Sequence, residues 1–170
     1  TRMAYQKFGF LAAKDYWFDN NFRRRFFKNL INLIPISRKP NPESLDLDDT
    51  MTLSKAFMDL GNNIIIFPEG SRGEVGKIQR FRKGAVKFSM GLDVPILPAA
   101  IMGAEKAWPK GEKFIKPFPI TVKVLPKIDP PKIKELSKTA YNKALSKITK
   151  DLEIKISEAV KELKETKSPD

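Results

Sequence analysis

Hydrophobic positions follow two rhythms along this chain: short apolar runs stopped by Pro or Gly, and longer stretches with an apolar residue at every third or fourth place. The sharpest run is Ile64-Ile65-Ile66-Phe67, closed by Pro68 and Gly70. A continuous run of this kind predicts a strand buried on both faces. Pro68 must end it, having no N–H to give a central ladder. Lys7 to Ala13, with Phe8, Phe10 and Leu11, predicts an earlier strand. Asn32 to Ser37 predicts another, with Pro35 implying either an edge position or an imperfect ladder, and Arg38 following it. Val94 to Ala100 reads as a further buried strand despite its two prolines, and Ile120 to Leu125 as the last.

Helical spacing separates these runs. Phe22, Phe26, Phe27, Leu30 and Ile31 form one apolar face over Phe22–Ile31, after the N-cap types Asp19, Asn20 and Asn21. Arg23, Arg24, Arg25 and Lys28 make the rest of that helix basic, which fits a core-packed helix with a solvated face. It is also compatible with a helix lying on a membrane surface. Thr50 to Leu60 follows an acidic lead-in, Ser44 to Asp49, suited to a helix amino end, and Gly61 is the expected stop. Lys83 to Met90 predicts a short helix closed by Gly91. Met102 to Pro119 is rich in Gly, Lys and Pro and reads as a long loop, a kind that is often functional or mobile. Pro131 opens a short helix to Leu136. Tyr141, Leu145, Ile148, Leu152, Ile156, Val160 and Leu163 then define an amphipathic helix of about seven turns. The tail after Thr166 is expected to fray.

Strands alternating with helices in 170 residues give an α/β expectation: a mostly parallel central sheet flanked by helices, with a long C-terminal amphipathic helix. The expected organisation is one domain over 1–128 and a helical extension over 129–170 packed on it. The chain has no cysteine, which excludes disulfides and thiolate chemistry, and no histidine, which removes the usual general base and zinc ligand. No metal site or cofactor is expected. The net charge is +12, carried by the body of the chain: residues 1–40 have nine Lys and Arg against two acids, and residues 61–128 twelve against five. A basic body favours anionic partners, such as phospholipid surfaces, phosphorylated molecules or acyl-CoA. Nucleic acid is not expected, because no recognition motif accompanies the charge. No stretch reaches the ~18 apolar residues of a membrane span. The first residue is Thr1, so the chain is expected to begin inside a longer one.

The candidate chemistry lies after the sharpest run. Glu69, Gly70, Ser71 and Arg72 put a carboxylate, a hydroxyl and a guanidinium in a turn ending at Gly73. Glycine lets backbone approach a ligand, and the arginine fork suits a phosphate. The carboxyl ends of parallel strands are where open α/β sheets bind ligands. Arg38, at the end of another strand, is a second fork, and the two are expected to converge on one anion. Glu69 serves equally well as a partner for an arginine, and Ser71 as a brace for the turn.

The order of Ile36-Ser37-Arg38, Phe67-Pro68-Glu69-Gly70-Ser71-Arg72-Gly73, Phe81-Arg82-Lys83-Gly84 and Val94-Pro95-Ile96-Leu97-Pro98 resembles the glycerolipid acyltransferases, in particular those acting on lysophosphatidic acid. The resemblance covers about Phe8 to Leu125. It implies a glycerol-phosphate-acyltransferase-like fold. It also implies fatty acyl transfer from acyl-CoA or acyl carrier protein to the hydroxyl of a lysophospholipid acceptor. By the same resemblance Arg38, Glu69, Gly70, Ser71 and Arg72 bind the acceptor's phosphate. Val94, Pro95, Ile96 and Pro98 lie near the acyl donor, and the protein sits peripherally on the cytoplasmic side of an anionic membrane surface. The family's remaining block pairs a histidine with an aspartate, four residues standing between them. It lies upstream of the first strand and would fall before Thr1. The chain thus reads as a fragment of an acyltransferase, inactive alone, rather than a degenerate relative. No residue here is named as a catalytic base; Asp15, Asp19 and Glu69 are only the nearest carboxylates in kind. The alternative is a non-catalytic module binding anionic lipid or phosphate.

Overall fold

The computed structural model describes residues 8–13, 32–36, 47–71, 73–74, 76–109, 111–112, 114–133 and 136–166. The chain divides into two compact units, Thr1–Phe67 and Pro68–Asp170.

In the first unit, strands β1 (Phe8–Ala13), β2 (Asn32–Ile36) and β3 (Asn63–Ile65) form a sheet in the order β2-β1-β3. Both pairings are parallel, with Phe10 opposite Leu33 on one side and Ile65 on the other. This bears out the parallel α/β expectation, and among the described residues β2 is an edge strand, one of the two readings Pro35 allows. Helix α1 (Leu47–Asp59) connects β2 to β3 and packs on both. It begins three residues before the expected start, which brings Asp49 into its first turn, where the dipole favours a carboxylate. Gly61, at φ +78°, donates its N–H to Met58 O and stops the helix as expected. Gly9 in the central strand lets α1 come close, since a Cβ there would stand 2.7 Å from Phe57 Cε1.

One expectation for this sheet is overturned. The apolar run does not form a strand buried on both faces. The ladder stops at Ile65; Ile64, Ile65 and Ile66 are half-buried, and Phe67 is exposed. Among the described residues β3 is an edge strand, so one of its sides lacks the neighbour that a central strand would have.

In the second unit, helix α2 (Gly84–Leu92) is followed by strand β4 (Ala99–Met102), the short helix α3 (Ala104–Ala107), strand β5 (Thr121–Val124) and helix α4 (Lys138–Thr166). β4 and β5 pair antiparallel, Ile101 opposite Val122. Helix α4 packs on β4 and α2, and Phe81, Val86, Met90, Leu145 and Leu152 make the core between them. Tyr141, Ile148 and Ile156 from the expected stripe pack against that core.

Two boundaries differ from expectation. Gly91 lies inside α2, which ends instead at Asp93 in the left-handed conformation, φ 52°. A short acidic side chain tolerates that geometry better than most. Val94 to Pro98 is not a strand; Ile96 alone pairs with Ile128 before β4 starts at Ala99. Pro95 and Pro98 cannot donate to a ladder, so continuous pairing waits until both are passed. The short helix expected from Pro131 to Leu136 lies partly outside the described residues; Leu136 N–H donates to Ile133 O. The expected helix Phe22–Ile31 lies outside the described residues. Among those residues no helix is long and apolar enough to cross a membrane.

Candidate phosphate-binding site

The turn after Phe67 is held from behind by the segment that follows it. Arg82 N–H donates to Pro68 O at 2.8 Å, so the chain returns to its starting point after fourteen residues. Inside this closed loop Glu69 Oε2 accepts the Gln79 N–H at 2.9 Å. Ser71 Oγ donates to Gln79 Oε1 at 3.3 Å, a long and therefore weak O–H···O contact. Gln79 also lies over Gly73, where a Cβ would come within 2.7 Å of its Nε2. Half-buried Glu69 thus braces the turn through a backbone amide, a role the sequence offers to Ser71, whereas it offers Glu69 as the partner of an arginine.

Gly70 carries the feature that sequence reasoning valued, with a partner it did not foresee. Its φ is +71°, and a Cβ there would stand 2.8 Å from Arg82 Nε. The exposed Arg82 side chain therefore runs close against Gly70. A guanidinium at this place supplies the planar fork that a phosphate needs. Arg82 was not singled out for the site, although Phe81-Arg82-Lys83-Gly84 stands in the motif order. The missing signal is the backbone bond between Arg82 and Pro68, which no periodicity reveals. Arg38 and Arg72, expected to converge on one anion, lie outside the described residues.

The positive character of this region extends beyond one side chain. Arg80, Arg82 and Lys83 are exposed, and α2 begins at the next residue with no acid in its first turn. The amino end of a helix adds partial positive charge. Helix α4 supports the same segment through side chains. Glu153 Oε2 accepts the Phe81 N–H at 2.7 Å, Lys83 Nζ donates to Ser146 Oγ at 2.8 Å, and Lys164 Nζ donates to Gly76 O at 3.0 Å.

The expected acyl-donor segment splits by exposure. Val94 and Ile96 are half-buried and Pro98 is buried, whereas Pro95 and Leu97 face outward. Its start is fixed by Ser89, whose Oγ donates to Val94 O at 2.6 Å. Among the described residues no group of three His, Cys, Asp or Glu side chains could hold a metal ion.

Comparison with known proteins gives this geometry a context. The acyltransferase family profile matches residues 3–102. A 1-acyl-sn-glycerol-3-phosphate acyltransferase of Limnanthes douglasii is 42% identical over 67 residues, 39% of this chain and 24% of its own length. One from Cocos nucifera is 33% identical over 85 residues, 50% of this chain and 27% of its own. The chain therefore spans about a quarter of the length of these curated relatives. In fold it is similar to the crystal structure of PlsC, the 1-acyl-sn-glycerophosphate (LPA) acyltransferase of Thermotoga maritima. The TM-score is 0.54 at 20% identity, over 89% of this chain and 57% of that one.

Proposed function

The chain belongs to the acyltransferase family, and on that premise we propose that it carries the acceptor-binding part of a phospholipid O-acyltransferase. The reaction moves a fatty acyl group from acyl-CoA or acyl carrier protein to the free hydroxyl of a lysophosphatidic-acid-like acceptor. The observation that carries this reading is the closed 68–82 loop, with Arg82 lying on Gly70 beside the braced Glu69. Arg82, Arg72 and Arg38 bind the acceptor's phosphate, and the Val94–Pro98 segment lies toward the acyl donor. The protein works peripherally on the cytoplasmic face of an anionic membrane. With no histidine in its sequence, this chain provides the pocket and not the proton acceptor.

Binding of short-chain lysophosphatidic acid, with lysophosphatidylcholine as the comparison, tests the assignment. Loss of a charged hydrogen bond to the phosphate should weaken binding about tenfold or more in Arg82→Ala and in Arg72→Ala. Equal binding of the two lipids, or unchanged affinity in both variants, would refute it. A second reading is a module that binds phosphate without turnover, and the absence of histidine favours it for this chain taken alone. Supplying a segment with the family's His-x4-Asp block separates the readings: acyl transfer then appears only if the pocket is catalytic.

A further inference from the structure

We infer that the tip of the 103–119 loop is a membrane-docking element, in which Phe114, Ile115 and Phe118 enter an anionic lipid bilayer. This rests on the reading that the acceptor is a lipid and says where the protein meets the surface that holds it. Phe114 is 79% exposed, Ile115 70% and Phe118 43%, and Ile120, just beyond the loop, is 55% exposed. Four large apolar side chains within seven residues therefore face outward, and none of them packs on the core formed by α2 and α4.

The loop is fixed where it leaves the sheet. Gly103 sits at φ +95°, and a Cβ there would collide with the carbonyl oxygen of Pro119, so the two ends of the loop touch. Lys116 N–H donates to Ala107 O at 2.7 Å. The Trp108 indole N–H donates to Glu112 O at 2.9 Å, and Glu112 N–H to Pro109 O at 3.2 Å. A segment that satisfies so much of its own backbone while presenting apolar side chains is organised for an apolar partner.

Charge selects which partner. Between Ala104 and Ile128 there are six lysines and two acids. Lys106 Nζ lies 5.1 Å from the centroid of the Phe118 ring, and Lys116 Nζ 3.6 Å from Glu112 Oε1. Apolar groups rimmed by ammonium groups match a bilayer whose headgroups are anionic. Rings and branched chains enter the acyl boundary while lysines stay with the phosphates. A second copy of this chain would bring the same positive rim against the first.

The absence of cysteine allows a single reporter. Ile115→Cys in the full chain, labelled with an environment-sensitive dye, is mixed with vesicles of phosphatidylcholine alone or with phosphatidylglycerol. Lys150→Cys, on the exposed side of α4, serves as the reference. The expected result is a blue shift at position 115 with phosphatidylglycerol, reversed by salt, and none at position 150. Sedimentation with the same vesicles should be about tenfold weaker for the double variant Phe114→Ser, Ile115→Ser. No vesicle binding would overturn the inference. So would vesicle binding with a silent label at 115 or with the double variant unimpaired, which would move the contact to a segment such as Phe22–Ile31. A shift without lipid that grows with protein concentration would also overturn it, in favour of self-association. Lysophosphatidic acid binding measured without vesicles stands or falls separately.

Discussion

The hydrogen bond from Phe81 N–H to Glu153 joins the sequence neighbour of Arg82 to the middle of the C-terminal helix, and removing it has a calculable effect. The bond is short, 2.7 Å, its acceptor is a carboxylate, and Phe81 is buried. Glu153→Leu leaves a buried amide with no acceptor, a loss of about 1.5–3 kcal/mol for a bond to a charged group. Glu153 is only half-buried, so the lower part of that range applies. Leucine on the apolar-flanked helix returns less than about 1 kcal/mol. The net expectation is about 1–2 kcal/mol lost, with Glu153→Gln losing about half as much because its amide oxygen still accepts. Urea unfolding followed by circular dichroism reads the global term. Amide exchange at Phe81 and Arg82 reads the local one, which should accelerate about 5- to 30-fold. Glu158→Leu, at an exposed position of the same helix, controls for helix propensity. A Glu153→Leu protein with wild-type stability and unchanged exchange at Phe81 would refute the bracing role. If exchange accelerates while lysophosphatidic acid binding stays intact, the brace is real and Arg82 does not depend on it.

Two further predictions concern backbone and burial. Gly103→Ala should cost more than about 2 kcal/mol in urea unfolding, because left-handed strain and the collision with Pro119 add. Gly111→Ala, at φ +94° with open space around it, should cost only about 1 kcal/mol; equal losses would show that sterics at Gly103 contribute nothing. Ser54 is fully buried on α1 and its hydroxyl has no hydrogen-bond partner among the described residues. Ser54→Ala should therefore be neutral or stabilising by up to about 1 kcal/mol, and a loss above that would reveal a partner for the hydroxyl.

Local signals and long-range ones were legible to different degrees. The parallel β1, β2 and β3, the stop at Gly61 and the stripe of α4 depend on periodicity and on single residues with strong backbone preferences, so they could be read directly. Strand burial could not: Ile64 to Phe67 is as apolar as a central strand, yet its neighbours are decided by chain order elsewhere. At Val94 to Pro98 hydrophobicity and proline gave opposing signals, and the missing N–H groups won. In the candidate site the residue types of the turn were legible, whereas Arg82 became visible only through the bond from its amide to Pro68, fourteen positions away in sequence.

The three contacts between α4 and the 76–83 segment also act as a ruler. Lys83, Phe81 and Gly76 meet Ser146, Glu153 and Lys164 in reverse order. The helix rises about 27 Å from Ser146 to Lys164. The long Lys83 and Lys164 side chains add reach at the two ends, so the segment from Gly76 to Lys83 runs antiparallel to the helix without having to be fully extended. One residue inserted between Ser146 and Glu153 would rotate everything beyond it by about 100° and advance it by about 1.5 Å. The short Glu153 contact to the Phe81 amide would then point elsewhere, whereas the longer Lys164 side chain has reach to follow. The register of this helix, and not only its side-chain identities, therefore sets where the strap is held.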